Sequence, residues 1–356
     1  MKKEIQLKGF VYKDNNAWEA LKEFLNDSDI SSVYILCDEN TLTHCLPILI
    51  QKHNFKNTPH IITIAAGETH KTIDTCLKVW KNLAEKRADR NSLIINLGGG
   101  VVTDLGGFVA STFKRGVHFI NIPTSLLAMV DASVGGKNGV DLGHVKNQIG
   151  VINPPEMVIL DTGFLNTLPI EHITSGLAEM LKHGIIYNKE YWERIKKADF
   201  TKKEAFEDLI WDSIEIKKEI VSKDPLEKNL RKTLNYGHTL GHAIESYFLE
   251  NSDKKELLHG EAVAVGIILA TYISKEMCHF PIETLNEISE SILKHFSKQI
   301  FSENDIEAII NLLVFDKKNR NGQVLFVLME DIGVPKIDCV IDNELIYSAF
   351  NYYKNF

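Results

Sequence analysis

Five short runs rich in β-branched and apolar residues, Val33 to Cys37, His60 to Ala65, Ser92 to Leu97, Val117 to Ile122 and Met157 to Leu160, alternate with stretches of helical spacing. That alternation constrains the chain more than any other feature, because it implies a mostly parallel sheet with helices on its faces. After Thr167-Leu168-Pro169 the pattern changes. Apolar residues then recur with helical periodicity over Ile170 to Ile186, Ala205 to Val221, Leu234 to Leu249, Gly260 to Met277 and Asn304 to Phe315. The spacing therefore predicts an α/β domain over 1–168 followed by an all-α domain over 169–356. One exception is Gln323 to Met329, which follows an Asn321-Gly322 turn signal and reads as a strand or hairpin arm. Ligands of open α/β sheets bind beyond the carboxyl ends of the strands, so a cleft between the two halves is the expected site.

A length of 356 residues agrees with two domains, and 44% hydrophobic with 25% charged residues is ordinary for a globular chain. The net charge of -8 and the lack of a long basic run argue against nucleic acid or an anionic membrane as a partner. An anionic ligand must then be held by local basic clusters. Cys37, Cys45, Cys76, Cys278 and Cys339 are scattered and form no CxxC pair, which disfavours a disulfide framework or a thiolate zinc cage and favours a reducing cytoplasm. MKKEIQLKGFVYKDNN lacks the apolar core of a signal peptide, and the longest apolar stretch, Ala262 to Ile273, reads as a buried helix too short to cross a bilayer.

The third run leads directly into Gly98-Gly99-Gly100, followed by a helical pattern containing Asp104. Glycines there let backbone N–H groups approach a phosphate at a helix N-terminus, although the spacing is not GxGxxG. Asp38, Gly67-Glu68-Thr69-His70-Lys71 and Pro123-Thr124-Ser125 follow three other strand candidates, so four turns place polar groups at one sheet edge, as a dinucleotide requires. A further glycine-rich loop carries Asp131, Gly135, Gly136, Lys137 and Asn138, and continues to Lys146-Asn147-Gln148. Lysines beside glycine turns suit phosphate, whereas a solvated surface loop is the bland alternative.

In LNYGHTLGHAIES, His238, His242 and Glu245 stand at i, i+4 and i+7 on one helical face, with Gly237 and Gly241 on an adjacent line that permits close approach of another element. The glutamate of HExxH is missing, which disfavours metalloprotease chemistry. Leu258-His259-Gly260-Glu261 begins the next helix, and Glu179 sits on an otherwise apolar face in SGLAEMLKHG. Two histidines and a carboxylate leave an open position on a divalent metal, but spacing alone does not decide between His242 and His259 as the second imidazole. Lys182, Lys217, Arg231, Lys317 and Lys318 gather near these motifs and could neutralise a carboxylate and a phosphate on one ligand; taken singly, each reads as part of a solvated helix face.

GGGVVTDLGGFVA, PTSLLAMVDASVGGK, SGLAEMLKHG, LNYGHTLGHAIES and LHGEAVAVG, in this order, resemble the 3-dehydroquinate synthase family of sugar-phosphate cyclases from about Asp38 to Lys318. The resemblance implies NAD and one divalent ion, Zn or Co, with Glu179, His238 and His259 as metal ligands. It places NAD against Asp38, Glu68, Lys71, Gly99, Gly100, Val101, Asp104, Thr124, Ser125, Lys146, Phe164 and Thr167. It places substrate against Asp131, Lys137, Asn147, Lys182, Lys217, Arg231, Asn235, His242 and Lys317 or Lys318. Lys137, Asn147 and Arg231 join the catalytic set, with Glu227 and His242 as proton shuttles. Arg115 resembles a residue that reaches into the partner's site, which implies a homodimer.

The implied activity converts 3-deoxy-D-arabino-heptulosonate 7-phosphate to 3-dehydroquinate and phosphate by NAD-mediated oxidation, phosphate elimination, re-reduction and intramolecular aldol closure. Departures from the family pattern are Asn138, Asn153-Pro154-Pro155, Pro225 in Asp224-Pro225-Leu226-Glu227, and a lengthened Glu250 to Lys255. A metal-dependent polyol dehydrogenase, another sugar-phosphate cyclase and a catalytically silent nucleotide-binding protein are the alternatives.

Overall fold

A computed structural model describes residues 8–143, 145–200, 203–313 and 323–356. The chain divides into two compact units, Met1–Ile173 and Thr174–Phe356. The first contains β1 (Phe10–Lys13), β2 (Val33–Asp38), β3 (His60–Ile64), β4 (Leu93–Gly98), β5 (His118–Pro123), β6 (Lys137–Leu142), β7 (Val145–Ile152) and β8 (Met157–Leu160). Its helices are α1 (Asp14–Asp27), α2 (Glu39–His44), α3 (Leu46–Lys52), α4 (Ile73–Glu85) and α5 (Gly100–Thr112).

Six of these strands form one sheet in the order β1-β8-β5-β4-β2-β3, parallel throughout. All five expected strands lie in it. Every residue of β4 is buried, as expected of a central strand covered on both faces. The chain runs outward from β2 to β3 and returns to the other side of β2 as β4, so the sheet reverses direction between β2 and β4. At such a switch point the two adjacent strand ends leave a crevice. Asp38 ends β2 there and Gly98 ends β4.

Two elements of this unit depart from the sequence expectation. β1, only four residues with two of them exposed, adds an edge strand beside β8. The glycine-rich segment read as a loop is instead largely an antiparallel hairpin of β6 and β7, with Lys137 opposite Ile152 and Gly139 opposite Gly150. The reason is packing: Asn138 is buried against α5, where a Cβ on Gly107 would come within 1.9 Å of the Asn138 Oδ1. Asn138, one of the departures, thus occupies space that a glycine on the helix leaves open.

The second unit is built on α6 (Ile170–Tyr187), whose first residues belong to the preceding unit, with α7 (Lys189–Ile195), α8 (Lys203–Lys223), α9 (His238–Glu250), α10 (His259–Cys278), α11 (Ile282–Leu293), α12 (Glu303–Leu312) and α13 (Asn343–Asn355). The expected strand near Gln323 is β9 (Leu325–Asp331), which pairs antiparallel with β10 (Val334–Val340). Ala262 to Ile273 is almost wholly buried within α10, and among the described residues no helix is long and apolar enough to cross a membrane. The helix expected to start at Leu234 starts four residues later, at His238. Gly237 interrupts it with a left-handed φ of 75°, and a Cβ there would strike Ile267 of α10.

Candidate active site

In the first unit, the ends of β2 to β5 carry the residues expected to meet a dinucleotide. Asp38 caps α2, its Oδ1 accepting from the Thr41 amide at 2.8 Å. Gly99 is the N-cap of α5, followed by Gly100 and Val101 as its first residues, so a helix N-terminus opens directly at a sheet end. Thr124 is buried after β5 and donates its amide to the Gly98 carbonyl at 3.0 Å; the hydroxyl of Ser125 accepts from the Ala128 amide. Phe164 is buried in the turn Thr162–Thr167 with its ring tilted 57° to that of Trp18 at 6.5 Å, while the Thr167 hydroxyl donates to the Phe164 carbonyl.

Glu68, Lys71, Asp104, Lys146 and Asn147 form one charged network. Lys71 is buried; its Nζ donates to Asp104 Oδ2 and to Asn147 Oδ1, both at 2.7 Å, and lies 4.0 Å from Glu68. Lys146 donates to Glu68 at 3.0 Å. Burial alone would lower the Lys71 pKa, but Asp104, Glu68 and Asp141 outweigh it and keep the ammonium charged. Burial raises Asp104 and Asp141, although Lys71 opposes the shift. Asp141 was not singled out in the sequence. Its Oδ1 accepts from the Asn147 amide at 2.6 Å, and its own amide bonds the Lys71 carbonyl at 2.9 Å, so it ties the hairpin to the loop before α4. A carboxylate inside an alternating strand pattern gives no sign of that role.

Three expected site residues have backbones that L-residues rarely adopt: Arg115 at φ 71°, Asn147 at 53° and Glu227 at 57°. Such conformations persist only where the surroundings enforce them, and they concentrate at functional sites. Arg115 is exposed on the turn between α5 and β5. Asp131 lies in the helical turn Ala128–Ala132, and Lys137 opens β6.

In the second unit, Lys182, Lys217 and Arg231 are 1%, 5% and 1% exposed. That corrects the reading of them as members of solvated helix faces: the apolar periodicity of α6 and α8 carries Lys182 and Lys217 inward, and a short turn, Leu230–Asn235, carries Arg231. The Arg231 guanidinium donates to the Pro225 carbonyl at 2.8 Å, and Asp224 accepts the Arg231 amide at 3.1 Å, so the unusual Asp224-Pro225 pair shapes this corner. Asn235 donates to Glu227 at 2.8 Å. Lys317 and Lys318 lie outside the described residues.

The metal-ligand candidates come from three helices. Glu179 of α6 is fully buried, and its Oε1 lies 3.2 Å from His238 Nε2 of α9 and 3.4 Å from His259 Nε2 of α10. Close helix approach makes this possible. Gly260 donates its amide to the Ser175 hydroxyl at 2.9 Å, one turn before Glu179, and a Cβ at Gly260 would stand 1.9 Å from the Ser175 carbonyl. Gly237 and Gly241 lie against Ile267, Val263 and Ala262 of α10, as their adjacent line suggested. Ligating nitrogens of His238, His242 and His259 all lie within 4.8 Å of one another.

Hydrogen bonding fixes what these imidazoles present. His238 Nδ1 lies 3.1 Å from the Tyr236 carbonyl and His259 Nδ1 lies 3.1 Å from Glu245 Oε2; both acceptors carry no proton, so both Nδ1 atoms donate. In the neutral rings each Nε2 then directs a lone pair toward Glu179 Oε1, a buried atom with no hydrogen-bond partner. Two lone pairs facing a buried carboxylate oxygen call for a cation between them, and the His2Glu donor set suits Zn²⁺ or Co²⁺. Without a metal, burial depresses His238, whereas for His259 Glu245 and Glu179 outweigh burial and push the imidazole up to about 10, so that a proton then occupies the Nε2 position that a metal ion would take. Glu179 is held well below the usual carboxylate range against its burial, by Lys182 on its other oxygen and by the imidazoles.

The sequence profile described as 3-dehydroquinate synthase N-terminal matches residues 61–175, and that described as 3-dehydroquinate synthase C-terminal matches 176–319. The chain belongs to the 3-dehydroquinate synthase family. Family members of similar length include the 3-dehydroquinate synthase of Parabacteroides distasonis, 38% identical over 94% of both chains, and that of Alkaliphilus oremlandii, 35% identical over 90% of this chain and 88% of its own. The family fold is shared with a 2-deoxy-scyllo-inosose synthase complexed with carbaglucose-6-phosphate, NAD+ and Co2+, at TM-score 0.83, 24% identity and 96% of both chains. A glycerol dehydrogenase from Schizosaccharomyces pombe has the fold at TM-score 0.65 and 14% identity, over 99% of this chain and 91% of its own.

Proposed function

We infer that this chain catalyses the 3-dehydroquinate synthase reaction, taking 3-deoxy-D-arabino-heptulosonate 7-phosphate to 3-dehydroquinate and phosphate. Within this family, the observation that carries the reading is the buried Glu179 oxygen faced by two imidazole lone pairs, a ready metal position. The first unit binds NAD at the ends of β2 to β5, and the second holds metal and substrate. When bound, NAD supplies a reversible hydride acceptor, and the divalent ion lowers the pKa of the hydroxyl to be oxidised.

The chain's own residues then bind and move protons. Lys182, Lys217 and Arg231, all buried cations, hold the substrate's carboxylate and phosphate through charge-assisted hydrogen bonds. Asn147 and Lys137 fix the hydroxyls and the phosphate from the β6–β7 hairpin, and Asp131 contributes from the turn before it. His242 lies one turn beyond His238 and is half-buried, which suits a group that exchanges protons with the substrate. Glu227, oriented by Asn235, is the second shuttle. Holding both anionic ends lets elimination and ring closure proceed by proximity. Arg115, on its left-handed turn, serves the site of a second copy in a homodimer.

Purified chain supplied with the heptulosonate phosphate and NAD should release phosphate without accumulating NADH, and chelation should abolish the release. NADH formed in proportion to product would indicate a polyol dehydrogenase instead. No phosphate from the zinc- or cobalt-loaded chain would refute the assignment.

A further inference from the structure

Glu245 takes no part in the chemistry above, yet it is a carboxylate only 6% exposed on α9, with Oε2 at 3.1 Å from His259 Nδ1. Its position is explained by the charges around the metal site. Lys182 bonds the second oxygen of Glu179, so an ammonium already neutralises the ligand carboxylate. His238 and His259 are each the first residue of a helix, where the aligned peptide dipoles place roughly half a positive charge. The ammonium and the two positive helix ends all work against a divalent cation, and a carboxylate behind a ligating imidazole counters them.

We propose that Glu245 is a positioning residue for the metal: it holds His259 in the Nδ1–H tautomer, with Nε2 free to ligate, and offsets the charge that Lys182 brings. A carboxylate on the far nitrogen of a ligating imidazole also makes that imidazole a stronger donor, and removing such a partner costs about 10–100-fold in metal affinity. The inference rests on the metal reading given above.

The test uses the full chain, zinc with a competing chelator, and the visible absorption of the cobalt-loaded protein. Glu245→Ala should weaken zinc binding by about 10–100-fold and alter the cobalt spectrum. Glu245→Gln keeps an oxygen able to accept from Nδ1 but loses the charge, so it should fall between Glu245→Ala and the unaltered chain. It also decides the matter if the alanine variant does not fold. Zinc binding by Glu245→Gln as tight as that of the unaltered chain, with an unchanged cobalt spectrum, would overturn the proposal. Failure of the unaltered chain to take up either metal would instead overturn the metal reading.

Discussion

Substituting Gly266 by alanine tests whether the metal position depends on the close approach of α9 and α10. A Cβ at residue 266 would stand 2.0 Å from the Gly237 carbonyl oxygen and 2.8 Å from the Gly241 amide nitrogen. Both neighbours are backbone, so no rotamer change relieves the contact. Reaching 3.4 Å, where ordinary contact begins, requires the helices to part by about 1.4 Å. Alanine gains about 1 kcal/mol of helix propensity over glycine. Overpacking costs about 1–3 kcal/mol, with the upper end expected against rigid backbone, so the clash wins by about 1–2 kcal/mol. For a domain of this size that corresponds to a fall of about 2–8 °C in Tm. Metal–ligand distances tolerate only about 0.2 Å, so displacing His238 from His259 should weaken zinc by tenfold or more. Thermal unfolding of the zinc-free protein by circular dichroism and zinc binding by chelator competition measure the two effects. An unchanged Tm with zinc affinity within about twofold would show that the helix crossing does not set the site, and would refute the argument.

Three further outcomes are expected. His238→Ala and His259→Ala should lose zinc, whereas His242→Ala should keep it and lose about 100-fold or more in phosphate release; zinc loss in His242→Ala would make that residue a ligand. Burial pushes the thiols of Cys37 and Cys45 up to about 11 and that of Cys76 up to about 12, so at about pH 8 these three should resist alkylation until the chain is unfolded in urea, as mass spectrometry would show. Burial would raise the Asp305 carboxyl, but bonds from Lys254 at 2.8 Å, Tyr247 at 2.5 Å and the Ser302 amide at 2.8 Å depress it strongly. The stabilisation is full above the unfolded value of about 3.9 and is lost as pH falls toward the folded one. Urea midpoints of the unaltered chain and Asp305→Asn should therefore differ most near neutrality and converge below about pH 4; a pH-independent difference would contradict this.

The five strand runs, the parallel sheet and the helical second half were legible because period and composition report directly which faces are buried. The β6–β7 hairpin was not. Its glycines and lysines resemble those of a solvated loop, and only contact with α5 shows that Gly139 and Gly150 let two strands approach while Asn138 fills the space over Gly107. The short edge strand β1 escaped for a related reason: half-exposed and paired on one side, it needs β8 more than it needs its own pattern. Lys182, Lys217 and Arg231 looked solvated because charge is a surface signal on average, and burial of a particular cation depends on partners distant in sequence.

By itself the sequence determined which chemistry was available: an acidic and glycine-lined sheet edge, a pair of histidines one helical turn apart, a third beyond a loop, and a carboxylate within an apolar helix. Those follow from local spacing. Tertiary structure decided what each group faces. Gly260 against Ser175, and Gly237 and Gly241 against α10, bring His238 and His259 to the Glu179 oxygen. The same packing turns Glu245 to the back of His259 and Asp141 to the amide of Asn147. Side-chain direction along one helix or strand is set by its own period, but the distance between two elements is set by the smallest residues where they cross, and that distance decides which groups become partners.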